Sequence, residues 1–450
     1  MPRHAFPTIA EAADALENGS VTAAALVEDT LALMSEGEGP RVFTEIHAKA
    51  ARDSALAMDQ LRLVGRAPSR FAGIPITVKD LFDEAGHVTR AGSIARDGAA
   101  PATATAPVVA RLERQGFVVV GRTNMTEFAF SGLGVNPHYG TPKSAWDRET
   151  GRLPGGSSSG AGVAAADGMG FGGLGTDTGG SCRIPAALNG VVGFKPTARR
   201  VPIQGVLPLS PSLDSVGPLA RSVGCCHVLD AFISGAEAAP GLREIDLSGL
   251  RFGVLHNVVE EGMEGEVARP YARALALLEK AGAKLIDLEI PALGRLAQIN
   301  AKGGLTASEA YAWHQELIES DGTRYDPLIL KRIMRGSAMT AADYLAAAKG
   351  RAEVIAAATA ATTPFDAVIC PTVPLAPPPI AAVAEESEYN RINLLLLRNT
   401  AIANALDRCA ISLPCHLPGE APAGLMLMGE EMGDARLLAI AAAVEKILDV

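Results

Sequence analysis

Two short glycine and serine blocks, Gly155–Gly160 and Gly175–Ser181, constrain this chain more than any other stretch. They lie within residues 151–197, GRLPGGSSSGAGVAAADGMGFGGLGTDTGGSCRIPAALNGVVGFKPT, on either side of an alanine-rich run that reads as helix. A flexible linker is glycine and serine throughout. Here Val163, Met169, Phe171, Leu174, Ile184, Leu188, Val191 and Val192 interleave with the glycines, so the pattern predicts buried loops. Buried glycine-rich backbone permits close approach and offers N–H donors. With serine hydroxyls beside them, such loops suit a negative or developing negative charge.

Around the blocks, strand and helix patterns alternate. Residues 8–36 carry helical spacing broken at Asn18-Gly19, residues 47–64 resume it, and Gly73-Ile-Pro-Ile-Thr-Val-Lys79 reads as a buried strand. A lysine closing an apolar strand is unusual. A helix over 105–116, a strand over 117–121, a strand at 191–195, a helix over 222–233, a strand at 251–255, a helix over 267–281 and a strand at 284–288 follow. This is the alternation of an α/β sheet. Residues 300–360 turn almost wholly helical, and the sheet pattern returns at 367–370, 410–413 and 425–428 before a final helix from Asp434.

Composition excludes several classes. A formal net charge of -10 argues against a nucleic-acid surface, and 48% hydrophobic with 20% charged residues marks a globular chain. The six cysteines form no CxxC pair with metal spacing and read as reduced thiols. The N-terminal stretch lacks a signal-peptide apolar core, and no run approaches the roughly 18 apolar residues of a membrane span. The expectation is a cytoplasmic protein without a membrane segment, a metal or a cofactor.

Generic motifs inside the glycine stretch fail on context. Gly156-Ser-Ser-Ser-Gly160 satisfies G-x-S-x-G, but that elbow needs a preceding strand, and Gly151-Arg-Leu-Pro154 is a poor one. Gly170-Phe-Gly-Gly-Leu-Gly175 matches G-x-G-x-x-G, yet it follows a helix and leads into Thr-Asp-Thr-Gly-Gly-Ser. A further reading joins the oddities: Lys79 at a strand end, Ser157 opening a helix, and Ser181 closing the second block. Burial lowers a lysine pKa, and a neutral lysine can act as a general base. Ser181 would be the nucleophile, activated through a second hydroxyl. The N–H groups of Thr178, Gly179, Gly180 and Ser181 would supply an oxyanion site. The rival reading is a lysine snorkelling from a strand end and serines capping helices. The residues alone leave both open.

The same residues resemble the amidase signature family. Its block of roughly G-G-S-S-G-G, a helix, then G-T-D-T-G-G-S-x-R-x-P-A and G-x-K-P-T is met by Gly155-Gly-Ser-Ser158, Gly175-Thr-Asp-Thr-Gly-Gly-Ser181, Arg183-Ile-Pro-Ala186 and Gly193-Phe-Lys-Pro-Thr197. Gly73–Asp80, Gly121–Phe128, Leu207–Gly217, Asp366–Thr372 and Gly424–Gly429 extend the likeness over nearly the whole chain. The resemblance implies an α/β fold, a large mixed twisted β-sheet covered by helices on both faces. It implies one amidase domain over 1–450, with a helical N-terminal part (1–65), a catalytic core (66–235), a mostly helical insertion or cap (236–365) and a return to the sheet (366–450). It implies a catalytic set of Ser181, Ser157 and Lys79, with Ser157 following a non-proline cis peptide, here Gly156-Ser157. Ala129 matches a pocket contact, and Asp177 and Arg183 are read as residues holding the glycine loop. Ser159, Cys182 and Ser144-Ala145 depart from the family pattern. Cys182 adjoins the nucleophile, but its apolar neighbours favour a structural role.

The function implied is hydrolysis of a small carboxamide to carboxylate and ammonia or amine through a serine acyl-enzyme. The alternatives are the glutamine-hydrolysing A subunit of a tRNA amidotransferase, and a non-catalytic binding or scaffold protein that keeps the fold. The expected partner is a small-molecule amide, with no nucleic acid and no membrane. Oligomeric state stays open, with a homodimer expected on the resemblance alone.

Overall fold

The apolar run that ends on Lys79 takes its place inside one mixed sheet of 11 strands in the computed structural model, which describes residues 7–448. The strands are β1 (Phe43–Ile46), β2 (Pro75–Lys79), β3 (Val118–Thr123), β4 (Gly172–Thr176), β5 (Val192–Lys195), β6 (Val216–Ala220), β7 (Arg251–Leu255), β8 (Lys284–Leu288), β9 (Ala367–Pro371), β10 (Ala410–Pro414) and β11 (Gly424–Met428). Their order across the sheet is β1-β3-β2-β4-β6-β5-β10-β11-β9-β7-β8. β2 runs parallel to both β3 and β4, and β7 runs parallel to both β8 and β9. The β4-β6-β5-β10-β11-β9 stretch between them is antiparallel throughout.

Central strands are sealed from water. Every residue of β2, β4, β5, β6, β9 and β11 is buried, as a sheet with packing on both faces requires. The helices that cover them show ordinary end signals. Thr8 with Glu11 and Thr340 with Asp343 form capping boxes for Ile9–Glu17 and Ala341–Thr362.

Two strands escape a propensity reading, and both have a packing reason. β4 is Gly-Gly-Leu-Gly-Thr, a composition that weakens an isolated strand. Its glycines are required by what lies against them: a Cβ on Gly173 would sit 2.3 Å from Thr77 Oγ1, and one on Gly175 would sit 2.7 Å from Ser158 Oγ. The sheet thus admits the helix Ser159–Asp167 and the loop before it at close range. β6 contains Pro218, paired opposite Leu174. The second half of the G-x-G-x-x-G match is therefore a strand interior with no helix after it.

In the segment 236–365, β7 and β8 stand where strands were expected and extend the sheet to its far edge. Helices Gly304–Asp321, Pro327–Met334 and Ala341–Thr362 then follow one another. Among the described residues no helix is long and apolar enough to cross a membrane. All six cysteines are buried and free. Residues 1–6 and 449–450, which fall within the N-terminal part and the final helix expected from the sequence, lie outside the described residues.

Candidate active site

Parallel pairing of β2 with β4 sets Thr77 beside Gly173 and Val78 beside Leu174, so Lys79 and Thr176 close neighbouring strands. Lys79 Nζ is fully buried and lies 2.8 Å from Ser157 Oγ and 2.8 Å from Thr176 Oγ1, donating to one or both hydroxyls. Burial pushes the ammonium down to about 7, against the weaker opposing pull of Cys182, Asp214 and Asp177. Ser157 itself is fully buried, and the Gly156-Ser157 peptide is cis. The Ser157 carbonyl accepts from Thr126 N–H (3.1 Å). Thr176 lies inside the second glycine block, where its spacing alone gives no sign of this contact.

The second loop meets the first through its backbone. Ser158 N–H donates to the Ser181 carbonyl at 3.3 Å. Among the described residues, the N–H groups of Thr178, Gly179, Gly180 and Ser181 have no hydrogen-bond acceptor. Successive unpaired donors of this kind form an anion-binding concavity. Gly180 has φ +137°, and a Cβ there would lie 2.1 Å from Thr400 Oγ1. Only glycine fits.

Three anchors hold that loop. Asp177 accepts from Arg183 Nε (3.0 Å) and Nη2 (2.8 Å), and from Asn404 Nδ2 (2.9 Å). Burial alone raises the Asp177 pKa, but the Arg183 charge and these hydrogen bonds outweigh it and hold the carboxyl at about 2. Thr178 Oγ1 donates to Asp214, whose carboxyl burial raises to about 6 despite that bond and two backbone donors. Thr400 Oγ1 donates to the Gly179 carbonyl at 2.7 Å. Asp177 and Arg183, expected from the sequence to support the loop, sit there. Asp214, Thr400 and Asn404 are not visible from the sequence as supports, because a lone polar residue far along the chain carries no local signature.

Thr178, Gly179 and Ser181 open onto a cavity of about 540 Å³. Ala129 lines it too, with φ +60° beside Phe128 at φ +49°. A volume of this order suits a small molecule.

The Amidase family model matches residues 40–438. The chain belongs to the amidase family. It is 36% identical to 2-amino-5-chloromuconic acid deaminase of Comamonas testosteroni over 98% of this chain and 96% of that protein. It is 32% identical to the A subunit of glutamyl-tRNA(Gln) amidotransferase from Chloroflexus aggregans, over 99% of this chain and 97% of that protein. A crystal structure of an amidase superposes with a TM-score of 0.89 at 33% identity, covering 98% of this chain and 99% of that one. The mixed 11-stranded sheet is the amidase fold expected from the sequence.

Where this amidase departs from the family pattern, the substituted side chains turn into packing. Cys182 is fully buried, its Sγ lies 3.5 Å from the Gly217 carbonyl, and burial pushes its thiol pKa far up. That is the opposite of an activated thiolate. Ser144 Oγ donates to the Leu188 carbonyl (2.7 Å) and accepts from Trp146 N–H (3.2 Å). Ser159 Oγ reaches the Asn124 carbonyl at 3.4 Å.

The buried Asp177–Arg183 pair gives a test of the loop's support. Asp177→Asn leaves the Arg183 guanidinium uncompensated in the core, and breaking such a pair costs about 3–5 kcal/mol. Denaturant unfolding of the variant is expected to show that loss, and a midpoint equal to wild type would refute the role.

Proposed function

We propose that this amidase hydrolyses a small carboxamide through a covalent ester on Ser181, with Ser157 as proton relay and Lys79 as base. The observation that carries the reading is the 2.8 Å contact between Lys79 Nζ and Ser157 Oγ in a setting that brings the lysine to about 7. A base poised near neutrality is suited to taking and returning one proton. Neutral Lys79 accepts the Ser157 hydroxyl proton as Ser157 takes the proton of Ser181. Ser181 Oγ then bonds to the amide carbon. The oxyanion is met by the free N–H groups of residues 178–181, where fixed donors act strongly because water is excluded. Collapse breaks the C–N bond, and the proton held on Lys79 returns through Ser157 to the leaving nitrogen. Water attacks the ester by the same relay, releasing the carboxylate and restoring Ser181.

The cavity favours a substrate that also carries a carboxylate. Arg332, on the helix Pro327–Met334, lines it with Nη2 donating to Asn390 Oδ1 at 2.9 Å and Nη1 to the Phe130 carbonyl at 3.3 Å, and its guanidinium lies 5.2 Å from the centre of the Tyr389 ring. Its Nε is buried without a hydrogen-bond partner, and among the described residues it has no carboxylate partner. Of the other cations on the wall, Lys331 is paired with Glu386 and Arg351 with Asp407, while Arg335 donates to the Ala301 carbonyl and, among the described residues, has no carboxylate partner either. A half-buried guanidinium at a cavity wall with no carboxylate to neutralise it favours an anion nearby. The name of the Comamonas testosteroni relative denotes an acidic substrate, which agrees. Glutamine also joins a carboxylate to an amide, so the tRNA amidotransferase reading shares this feature. The two separate on whether the purified chain turns over amides without a partner.

Ser181→Ala is expected to lower kcat/KM for every accepted amide by at least ~10³-fold without loss of folded protein. Wild-type turnover in that variant would remove the nucleophile. In a panel of amides scored by ammonia release, Arg332→Gln is expected to raise KM about 10–100-fold for carboxylate-bearing amides and leave uncharged ones near wild type. An equal effect on both classes would count against carboxylate recognition.

A further inference from the structure

A second cavity, of about 230 Å³, shares no lining residue with the one at Ser181. His47, Glu84, His87 and Glu113 line it, and Glu45 stands beside them on the edge strand β1. His47 follows β1 directly and is fixed by its N–H bond to the Val120 carbonyl (2.9 Å). His87 sits in a turn held by its own N–H to the Glu84 carbonyl (3.0 Å) and by Ala102 N–H to its carbonyl (2.8 Å). Both imidazoles are therefore presented by anchored backbone.

The side chains converge on one oxygen. Glu45 Oε1 lies 2.8 Å from His87 Nδ1 and 3.7 Å from His47 Nε2, and one donor atom from each residue falls within 4.8 Å of the others. His47 is the anomaly: its side chain is 8% exposed, and its Nε2 is buried with no hydrogen-bond partner. Such an orphan is costly unless something fills its lone pair. Burial holds this imidazole below its ordinary pKa, in the neutral form that ligates metals.

We propose that Glu45, His47 and His87 bind one divalent transition-metal ion of the zinc class through Glu45 Oε1, His47 Nε2 and a ring nitrogen of His87. Bonds of about 2.0–2.1 Å in tetrahedral geometry place ligand atoms about 3.3 Å apart, and the 2.8 and 3.7 Å separations bracket that spacing. Two imidazoles with one carboxylate suit zinc better than calcium or magnesium. The surroundings have the form of an outer shell. Glu84 Oε1 stands 3.7 Å from His47 Nδ1, on the ring edge away from the site, and Glu84 is itself held by Arg122 Nη1 at 2.6 Å. At 3.7 Å this is a charge contact and not a hydrogen bond, and it places a carboxylate where one would stabilise a metal-bound imidazole. Arg90 approaches the other Glu45 oxygen, Oε2, at 3.6 Å and leaves Oε1 to the ion. The bound ion clips β1 to the turn at Gly86-His87. The sequence showed no metal motif because its ligands come from a strand, a helix start and a distant turn, not one spaced repeat.

The test uses the tag-free full-length chain, stripped with chelator, desalted and titrated with zinc chloride by calorimetry, with thermal unfolding read in parallel. Saturable binding of one Zn²⁺ per chain with a raised Tm is expected. His87→Ala and Glu45→Gln should each weaken it at least ~10-fold. His87 is partly exposed, so its variant is expected to fold, and circular dichroism checks that. His256→Ala, which removes the separate His256–Glu260–Asp287 cluster, should leave binding unchanged. Absence of saturable binding, binding indifferent to both site variants, or binding lost only in His256→Ala would each overturn the assignment.

Discussion

The structure depends on one lysine that has been taken out of water without being given a carboxylate to pair with. Lys79 ends an apolar strand, is fully buried, and among the described residues has only the hydroxyls of Ser157 and Thr176 within hydrogen-bond reach. A charge in such a place is expensive. Burial brings the neutral amine within reach near neutral pH, and in the proposed relay the neutral amine is what accepts a proton. The acids that are present, Asp177 and Asp214, are occupied elsewhere by Arg183, Asn404, Thr178 and backbone donors. Their influence on Lys79 reaches it only through space.

Close approach is the second requirement, and glycine meets it. β4 carries glycine at 173 and 175 because Thr77 and the loop before the helix Ser159–Asp167 press against it, and that loop carries Ser157 to Lys79. Gly180 answers the same need on the second loop, against Thr400. Among the described residues four main-chain donors stay unpaired there, with Gly180 in a conformation that side chains disfavour. Asp177, Thr178 and the Gly179 carbonyl are then pinned from elements far along the chain.

Much of this was legible in the sequence, for identifiable reasons. A lysine closing Ile-Pro-Ile-Thr-Val breaks the strand pattern, and apolar residues threaded through glycine blocks mark buried loops, so Lys79, Ser157, Ser181 and residues 178–180 stood out. β4 and β6 did not read as strands, since glycine and proline argue against a strand unless the close neighbours are known. Asp214, Thr400 and Asn404 act on the loop only through tertiary contact. Arg332 lies in a run with Lys331 and Arg335 that all reach the cavity, and nothing in the run says that Lys331 is the one paired with a carboxylate. Glu45, His47 and His87 meet only because β1 and the turn after β2 are neighbours in space.

The proposed relay requires Lys79 to be neutral for an appreciable part of the time near pH 7, and the titration of this one side chain measures that. In full-length protein labelled at lysine Cε with ¹³C, the resonance that disappears in Lys79→Met is followed by NMR across the pH range. A midpoint at about 7 is expected. A midpoint near the ordinary lysine value of about 10.4 would contradict it.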